Sequence, residues 1–235
     1  MATHLVTGGT GFVGTAVTKV LLSEGEKVRV FDINVPKERL NNVEYLIGDI
    51  CNKYLVEQSL TDVDYVHHNA VYVPLGGKTK KVWDVNVGGL KNILKISKKN
   101  NIKKVIIMSS SSVYGNKVKQ PITRKTPFSP TDLYGESRLE AERIAKSFAS
   151  DDLDIIIFRP HIIAGAERSG IFSYLFQRIL TEKTLWLPDS VKYKHQVIHV
   201  DDLAKACWQA VKYSKTESYN IGTDTHFTVK EVLEE

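Results

Sequence analysis

Cysteine is scarce in this chain, with only Cys51 and Cys207 among 235 residues. Two thiols so far apart cannot build a disulfide framework and suit a reducing compartment, so a stapled secreted scaffold is excluded and a cytoplasmic location is expected. Long apolar runs are also missing. No stretch approaches the ~20 residues of a membrane span, and the first apolar run starts almost at Met1, so neither a membrane partner nor a signal peptide is expected. The sequence has no internal repeat and no low-complexity tract. No Cys or carboxylate stands at ligand spacing from the pair His67-His68, whose side chains should point to opposite faces of a strand. His161, His195 and His199 look equally isolated, so no metal is expected. Charge is mixed, with 32 Lys and Arg against 27 Asp and Glu and a net +5. The lysine runs at 78–81 and 98–99 read as solvated surface. No basic patch is interleaved with aromatics as in a single-strand binder, so nucleic acid is not an expected partner.

What is present begins with a glycine-rich turn, Thr7-Gly8-Gly9-Thr10-Gly11-Phe12-Val13-Gly14, after the apolar run His4-Leu5-Val6. Val13, Ala16, Val17, Val20 and Leu21 follow at the spacing of one helix face, and Gly25 stands where a helix C-cap would be. Strand, glycine turn and helix together are the context that a dinucleotide fingerprint requires. Gly8 is free to take backbone angles closed to other residues. Gly11 lets the backbone approach a pyrophosphate, and Gly14 lets the helix pack on the strand. The helix start offers N–H groups and a positive dipole end to phosphates. A second strand, Lys27 to Phe31, ends at Asp32, 18 residues after Gly14. A carboxylate there accepts both hydroxyls of an adenosine ribose and repels a 2′-phosphate, which favours NAD over NADP. Lys37 and Arg39 follow closely and pull the other way.

Further strands are expected at Val43 to Ile47, ending at Gly48-Asp49-Ile50, and at Asp62 to Ala70, with a short helix over Leu55 to Leu60 between them. A helix over Asn86 to Lys99 precedes a fifth strand, Lys104 to Met108, which runs into Ser109-Ser110-Ser111-Ser112-Val113-Tyr114-Gly115. These serines read equally as a polar loop or as a hydroxyl held at the ligand face. Strands alternating with helices imply a parallel, doubly wound, Rossmann-like α/β sheet, whose ligands bind at the carboxyl ends of the strands. Asp32, Asp49 and Ala70 all fall at such ends.

After Pro127 and Pro130 a helix should start near Thr131 or Asp132. It carries Tyr134 and Arg138 at i and i+4, on one face. A cation beside a phenol favours the phenolate, which is a usable general base.

Together these residues resemble the extended short-chain dehydrogenase/reductase family, in its branch of NAD-dependent sugar-nucleotide epimerases and dehydratases. The turn from Thr7 to Gly14 resembles TGxxGxxG, and Asn86-Val87 with Gly89 and Asn92 resembles NVxGTxN. His67 to Ala70 is similar to an HxAA strand end, Ser109 to Gly115 to SSxxVYG, and Tyr134 to the tyrosine of YxxxK. Arg159-Pro160 with Gly165 resembles RPxxxxG, after a strand from Asp154 to Phe158. His199 to Ala204 resembles HVDDLA, and Tyr219 to Gly222 resembles YNIG.

The resemblance implies Ser110, Tyr134 and Arg138 as the catalytic set. It implies NAD held by Gly8, Gly11, Phe12, Val13 and Gly14, with Asp32 on the ribose and Asp49 and Ile50 at the adenine. Ala70, Asn86, Tyr134, Arg138 and Pro160 would complete the cofactor site. The implied substrate is a nucleotide sugar. Tyr134 would take a proton from a sugar hydroxyl while NAD takes hydride from the same carbon, and the keto sugar would turn over and be reduced on its other face. Two copies would pair as a homodimer through the helices of the Asn86 and Tyr134 segments. Residues 1–165 would form the NAD-binding domain and residues 166–235 a small, partial substrate-binding region, of which roughly 196–222 packs back on the first domain. A last helix is expected around Val229, Val232 and Leu233.

The chain departs from the family pattern in three places. Arg138 replaces a lysine, a substitution that keeps charge but changes shape. Ser111 and Ser112 stand where hexose dehydratases carry Asp-Glu. The segment after Gly165 is brief, without the usual asparagine for the nucleotide diphosphate, and family members usually continue beyond Glu235. Two other readings stay open: a carbonyl reductase like the steroid or flavonoid branches, and a non-catalytic NAD-binding protein.

Overall fold

A computed structural model describes residues 1–74, 79–116, 118–166, 181, 194–212, 215–228 and 231. Seven strands form the central sheet: β1 (Thr3–Thr7), β2 (Lys27–Asp32), β3 (Val43–Ile47), β4 (Tyr65–His68), β5 (Lys104–Met108), β6 (Asp154–Pro160) and β9 (Glu217–Ile221). Their order is β3-β2-β1-β4-β5-β6-β9, and every neighbouring pair is parallel. Parallel neighbours need crossovers. These include α1 (Phe12–Ser23), α2 (Lys53–Ser59), α4 (Leu90–Lys99) and α5 (Leu133–Phe148). A small sheet, ordered β10-β8-β7, joins β7 (Ile162–Ala164), β8 (Lys194–His199) and β10 (His226–Thr228), and α6 (Val200–Ala210) follows β8 directly.

Alternation along the strands sends side chains to two cores. On one face Leu5, Val66, Val105, Ile107 and Ile155 pack with Ile93 and Leu94 of α4 and Ala141 and Ala145 of α5. On the other, Val6, Val30, Ile106 and Ile156 pack with Val17 and Leu21 of α1 and Leu203 and Cys207 of α6. The doubly wound fold expected from the sequence is the fold observed.

Several elements differ in detail from the sequence expectation. The fourth strand is only Tyr65–His68: Asp62 turns with φ 55° before it, and it ends two residues short of Ala70. The helix expected from Asn86 opens earlier, as α3 (Thr79–Trp83), then widens into π-helical turns over Asp84–Gly89 and is α-helical only from Leu90. The widening coincides with Asn86. Its buried amide accepts from the Tyr72 N–H at 2.7 Å, and donates to the Tyr72 carbonyl at 3.1 Å and to Ser137 Oγ at 3.0 Å. Period-3.6 patterning cannot signal such a turn, because tertiary hydrogen bonds accompany it. Helix α1 stops at Ser23, and Gly25 follows its Glu24 cap with φ 79°. Asp132 caps α5, accepting from the Gly135 N–H at 2.7 Å. Val229, Val232 and Leu233 lie outside the described residues, as do most residues between 167 and 193. Among the described residues, no helix is long and apolar enough to cross a membrane.

Candidate active site

The strand order reverses between β1 and β4, so their crossovers leave to opposite sides and open a crevice at the carboxyl ends. The glycine turn fills its floor. Gly8 has φ 64°, and a Cβ there would stand 2.7 Å from the Ala70 nitrogen, just past β4. A Cβ on Gly14 would overlap the Gly8 carbonyl oxygen, so the turn and the first turn of α1 are in direct backbone contact. Gly11 caps α1 with no side-chain hydrogen bond. Asp32, at the end of β2, accepts from the Thr10 N–H at 3.0 Å and from the Asn34 N–H at 2.9 Å. The carboxylate thus fixes the glycine turn to the next strand end.

The adjoining loops are tied in the same way. Asp49 Oδ1 accepts from the Cys51 N–H at 2.8 Å, and Asn92 of α4 donates to the Ile50 carbonyl at 3.1 Å. Thr7 Oγ1 accepts from the Ala70 N–H at 3.3 Å and lies 2.9 Å from His68 Nδ1. The Asn86 amide, expected at the cofactor, is instead committed to Tyr72 and Ser137, so it shapes the segment after β4.

At the end of β5, Ser109 to Ser112 is not a loose loop. Ser110 caps a 3₁₀ turn over Ser111–Tyr114, and its Oγ lies 2.9 Å from Ser112 Oγ. The first turn of α5 rests on this turn, since a Cβ on Gly135 would stand 2.6 Å from the Ser112 carbonyl oxygen. Half-buried Tyr134 is the residue before Gly135. Arg138, one turn later, is 1% exposed and donates through Nη2 to the Met108 carbonyl at the end of β5. Burial pulls its guanidinium below the usual range, opposed by the nearby Tyr134 and Glu142, and it remains a cation. Ser110, Tyr134 and Arg138, spread over 29 residues of sequence, thus sit around one strand end.

A buried polar network behind this end was not visible in the sequence. Ser109 Oγ donates to Glu142 Oε1 at 2.6 Å. Arg159, on β6, donates to both carboxylate oxygens of Glu142, at 2.9 and 2.6 Å, and to Tyr114 Oη at 2.8 Å. Tyr114 donates on to Asn220 of β9 at 2.8 Å. Glu142 is at i+8 from Tyr134 and i+4 from Arg138, so helix periodicity alone marks it as facing the same side.

The histidines need a correction. His67 and His68 do point to opposite faces: His67 Nε2 lies 3.0 Å from His4 Nδ1, while His68 meets Thr7. His161 and His195, however, are not isolated. Their rings stack with centroids 5.5 Å apart, His161 Nε2 lies 3.2 Å from His195 Nδ1, and Ser111 Oγ lies 2.9 Å from His161 Nδ1. The smaller sheet brings β8 beside the residues after β6, a pairing that 34 residues of separation hide. Among the described residues no cluster of His, Cys, Asp or Glu could hold a metal ion.

The crevice fits a dinucleotide on two observations. The turn leaves no room for a Cβ at Gly8 or Gly14. Nε and Nη1 of Arg138 and Nε2 of His68 are buried without a hydrogen-bond partner among the described residues. The two Arg138 groups are N–H donors and demand an acceptor, which a ribose hydroxyl supplies, while His68 Nε2 donates or accepts according to its tautomer.

Comparison with known proteins agrees. The profile of the NAD dependent epimerase/dehydratase family matches residues 4–222. The uncharacterized protein y4nG of Sinorhizobium fredii is 38% identical over 235 residues, covering 99% of this chain and 59% of its own length. A UDP-glucose 4-epimerase of Halalkalibacterium halodurans is 30% identical over 261 residues, covering 98% of this chain and 78% of its own. The Bordetella bronchiseptica enzyme WbmH, solved in complex with NAD+, superposes with a TM-score of 0.90 at 26% identity, over 100% of this chain and 80% of its own. The chain therefore spans from about three fifths to four fifths of the length of these relatives.

Proposed function

Because the chain belongs to the NAD-dependent epimerase/dehydratase family, we propose that it holds NAD and interconverts the epimers of a nucleotide sugar. The observation that carries this reading is the grouping of Ser110, Tyr134 and Arg138 around the carboxyl end of β5, two strands along the sheet from the end of β1 and its Gly8–Gly14 turn. The start of α1 would take the pyrophosphate, Asp32 the adenosine ribose, Asp49 and Ile50 the adenine, and Arg138 the nicotinamide ribose. Ala70, tied to Thr7 just past β4, and Pro160, at the end of β6, would border the cofactor, and Asn86 would serve it indirectly through Tyr72. When bound, NAD supplies a reversible two-electron oxidation of the sugar.

The chain's own groups move and hold the proton. Tyr134 removes it from a sugar hydroxyl and later returns it, with Arg138 one helical turn away on the same face. Ser110 Oγ donates to the same oxygen while it is a ketone. Ser111 and Ser112 follow Ser110 without a carboxylate, so the turn offers no acid and base for loss of water. That favours epimerisation over dehydration. A UDP-hexose reacting at its 4-position is the substrate suggested by the 30% identity to a UDP-glucose 4-epimerase.

A second reading, an NAD-binding protein without turnover, draws on Arg138 being fully buried and bonded to Met108. Cofactor accounting separates the readings. The purified protein is denatured and the released NAD measured, and UDP-glucose is then offered to native protein without added cofactor. Continued conversion with NAD retained supports the epimerase. Stoichiometric use of added reduced cofactor would make the protein a reductase, and retained NAD with no conversion would favour the second reading.

A further inference from the structure

Ser111, His161 and His195 form a polar chain that the proposed proton transfer does not use. Ser111 belongs to the 3₁₀ turn that Ser110 caps, His161 follows Pro160 at the end of β6, and His195 lies in β8. Ser111 and His161 follow the carboxyl ends of β5 and β6, where ligands of such sheets bind, and His195 reaches them from the smaller sheet. The chain is continuous, from Ser111 Oγ to His161 Nδ1 at 2.9 Å and from His161 Nε2 to His195 Nδ1 at 3.2 Å. His161 is exposed and His195 half-buried, so solutes reach the pair.

Among the described residues, no carboxylate forms an ion pair with either imidazole. Lys194, the neighbour of His195, points to the other face of β8, and its charge acts on Glu231. Across β8, Phe227 of β10 faces His195, and His226 faces Gln196. From β7, Ile162 and Ile163 pair with Val197 and Ile198 and bring no charge. Partial desolvation by the protein around the rings, with the neighbouring His195, holds His161 below the ordinary imidazole value, and partial desolvation does the same to His195. Both nitrogens of His161 are engaged, by Ser111 and by His195, so the groups left to turn towards an anion are Ser111 Oγ and His195 Nε2, and a proton shared by the stacked pair strengthens the donor at His195.

We propose that Ser111, His161 and His195 form a subsite for an oxyanion group of the bound nucleotide sugar. The inference rests on the nucleotide-sugar reading above. Two groups have this chemistry: a carboxylate on the sugar ring, or the diphosphate. Ser111 is the residue next to Ser110, which favours the ring carboxylate, because the anion is then close to the reacting carbon. On this account the preferred substrate is a nucleotide uronic acid.

Linkage fixes the sign. An anion that raises an imidazole's proton affinity is bound together with a proton, so affinity rises as pH falls through the imidazole range. Neither a uronic carboxylate nor a diphosphodiester changes its own charge between about pH 6 and about pH 8. Any pH dependence in that window therefore belongs to the protein.

The test uses the NAD-loaded full chain and titration calorimetry with UDP-glucose and UDP-glucuronic acid at about pH 6 and about pH 8. The expected result is tightening of at least about threefold at the lower pH for UDP-glucuronic acid, lost in His161→Asn and, separately, in His195→Gln. Tightening confined to the uronic acid identifies the ring carboxylate. Equal tightening with both ligands identifies the diphosphate. Binding that keeps the same pH dependence in both variants overturns the subsite and leaves the nucleotide-sugar reading standing. Failure of both ligands to bind at either pH overturns that reading itself.

Discussion

Glu142 and Arg159 meet as a buried, two-pronged ion pair, with Arg159 Nε 2.9 Å from Oε1 and Nη2 2.6 Å from Oε2. Their side chains are 2% and 3% exposed. The pair joins the helix of Tyr134 to the strand that ends at Pro160, and Ser109 and Tyr114 complete its hydrogen bonds. Removing one partner strands a buried charge. Glu142→Ala is expected to lose about 3–5 kcal/mol of unfolding free energy. The double variant Glu142→Leu with Arg159→Met should recover much of that loss, and urea denaturation of the three proteins checks both statements.

Acid stability is the second prediction. His4, His67 and His68 are buried. Burial pulls His4 down to about 4 and His68 down to about 3, and holds His67 well below its ordinary value. Glu26 stands 4.0 Å from His4, too far for a hydrogen bond to hold the proton. Each histidine titrates near its ordinary 6.5 once unfolded. The unfolded chain therefore binds more protons below that value, and stability present above pH 6.5 is lost as pH falls towards 4. By about pH 5 His4 and His68 each cost roughly 2 kcal/mol. His68→Leu should flatten the fall between pH 6.5 and 5 by about one proton's worth of slope. An unchanged slope in denaturation curves across that window would rule out this assignment.

Gly8 gives the third. Ala at this position must keep φ 64° while its Cβ presses on the Ala70 nitrogen. Gly8→Ala is expected to weaken NAD binding by more than about tenfold, through a displaced turn. The measurement is the amount of NAD released on denaturing equal amounts of variant and parent. Full retention would mean that the turn does not carry the cofactor.

Arg138 gives the fourth. If its role is charge beside Tyr134, Arg138→Lys keeps turnover within about tenfold, while Arg138→Met loses about a hundredfold in kcat. Equal losses in both would point to the hydrogen bond with Met108 as the function of this side chain.

Much of this site could be read in the chain because its parts are local. The glycine turn, Asp32 at the next strand end, and Tyr134 with Arg138 each depend on spacing within one element or one crossover. The parallel sheet followed from alternating strands and helices. What stayed hidden depends on distant pairing. Ser111, His161 and His195 come together only because β8 pairs with β7, and Ser109, Glu142, Arg159 and Tyr114 only because α5 lies across β5 and β6. Asn86 was assigned to the cofactor on resemblance, yet its amide is spent on Tyr72, a partner that no periodicity reveals. Glu142 is the one hidden residue with a usable signal. It continues the Tyr134 and Arg138 stripe, and a carboxylate on the inward face of a helix calls for a buried cation.

The most direct measurement is proton NMR of UDP-glucose and, separately, of UDP-glucuronic acid incubated with NAD-loaded protein and no added cofactor, beside the Tyr134→Phe variant. The account predicts that the 4-epimer accumulates with the parent protein. In Tyr134→Phe it should form more slowly by about a hundredfold or more, with NAD still bound. Equal rates in the two proteins, or an NAD-loaded parent that converts no nucleotide sugar, would contradict it.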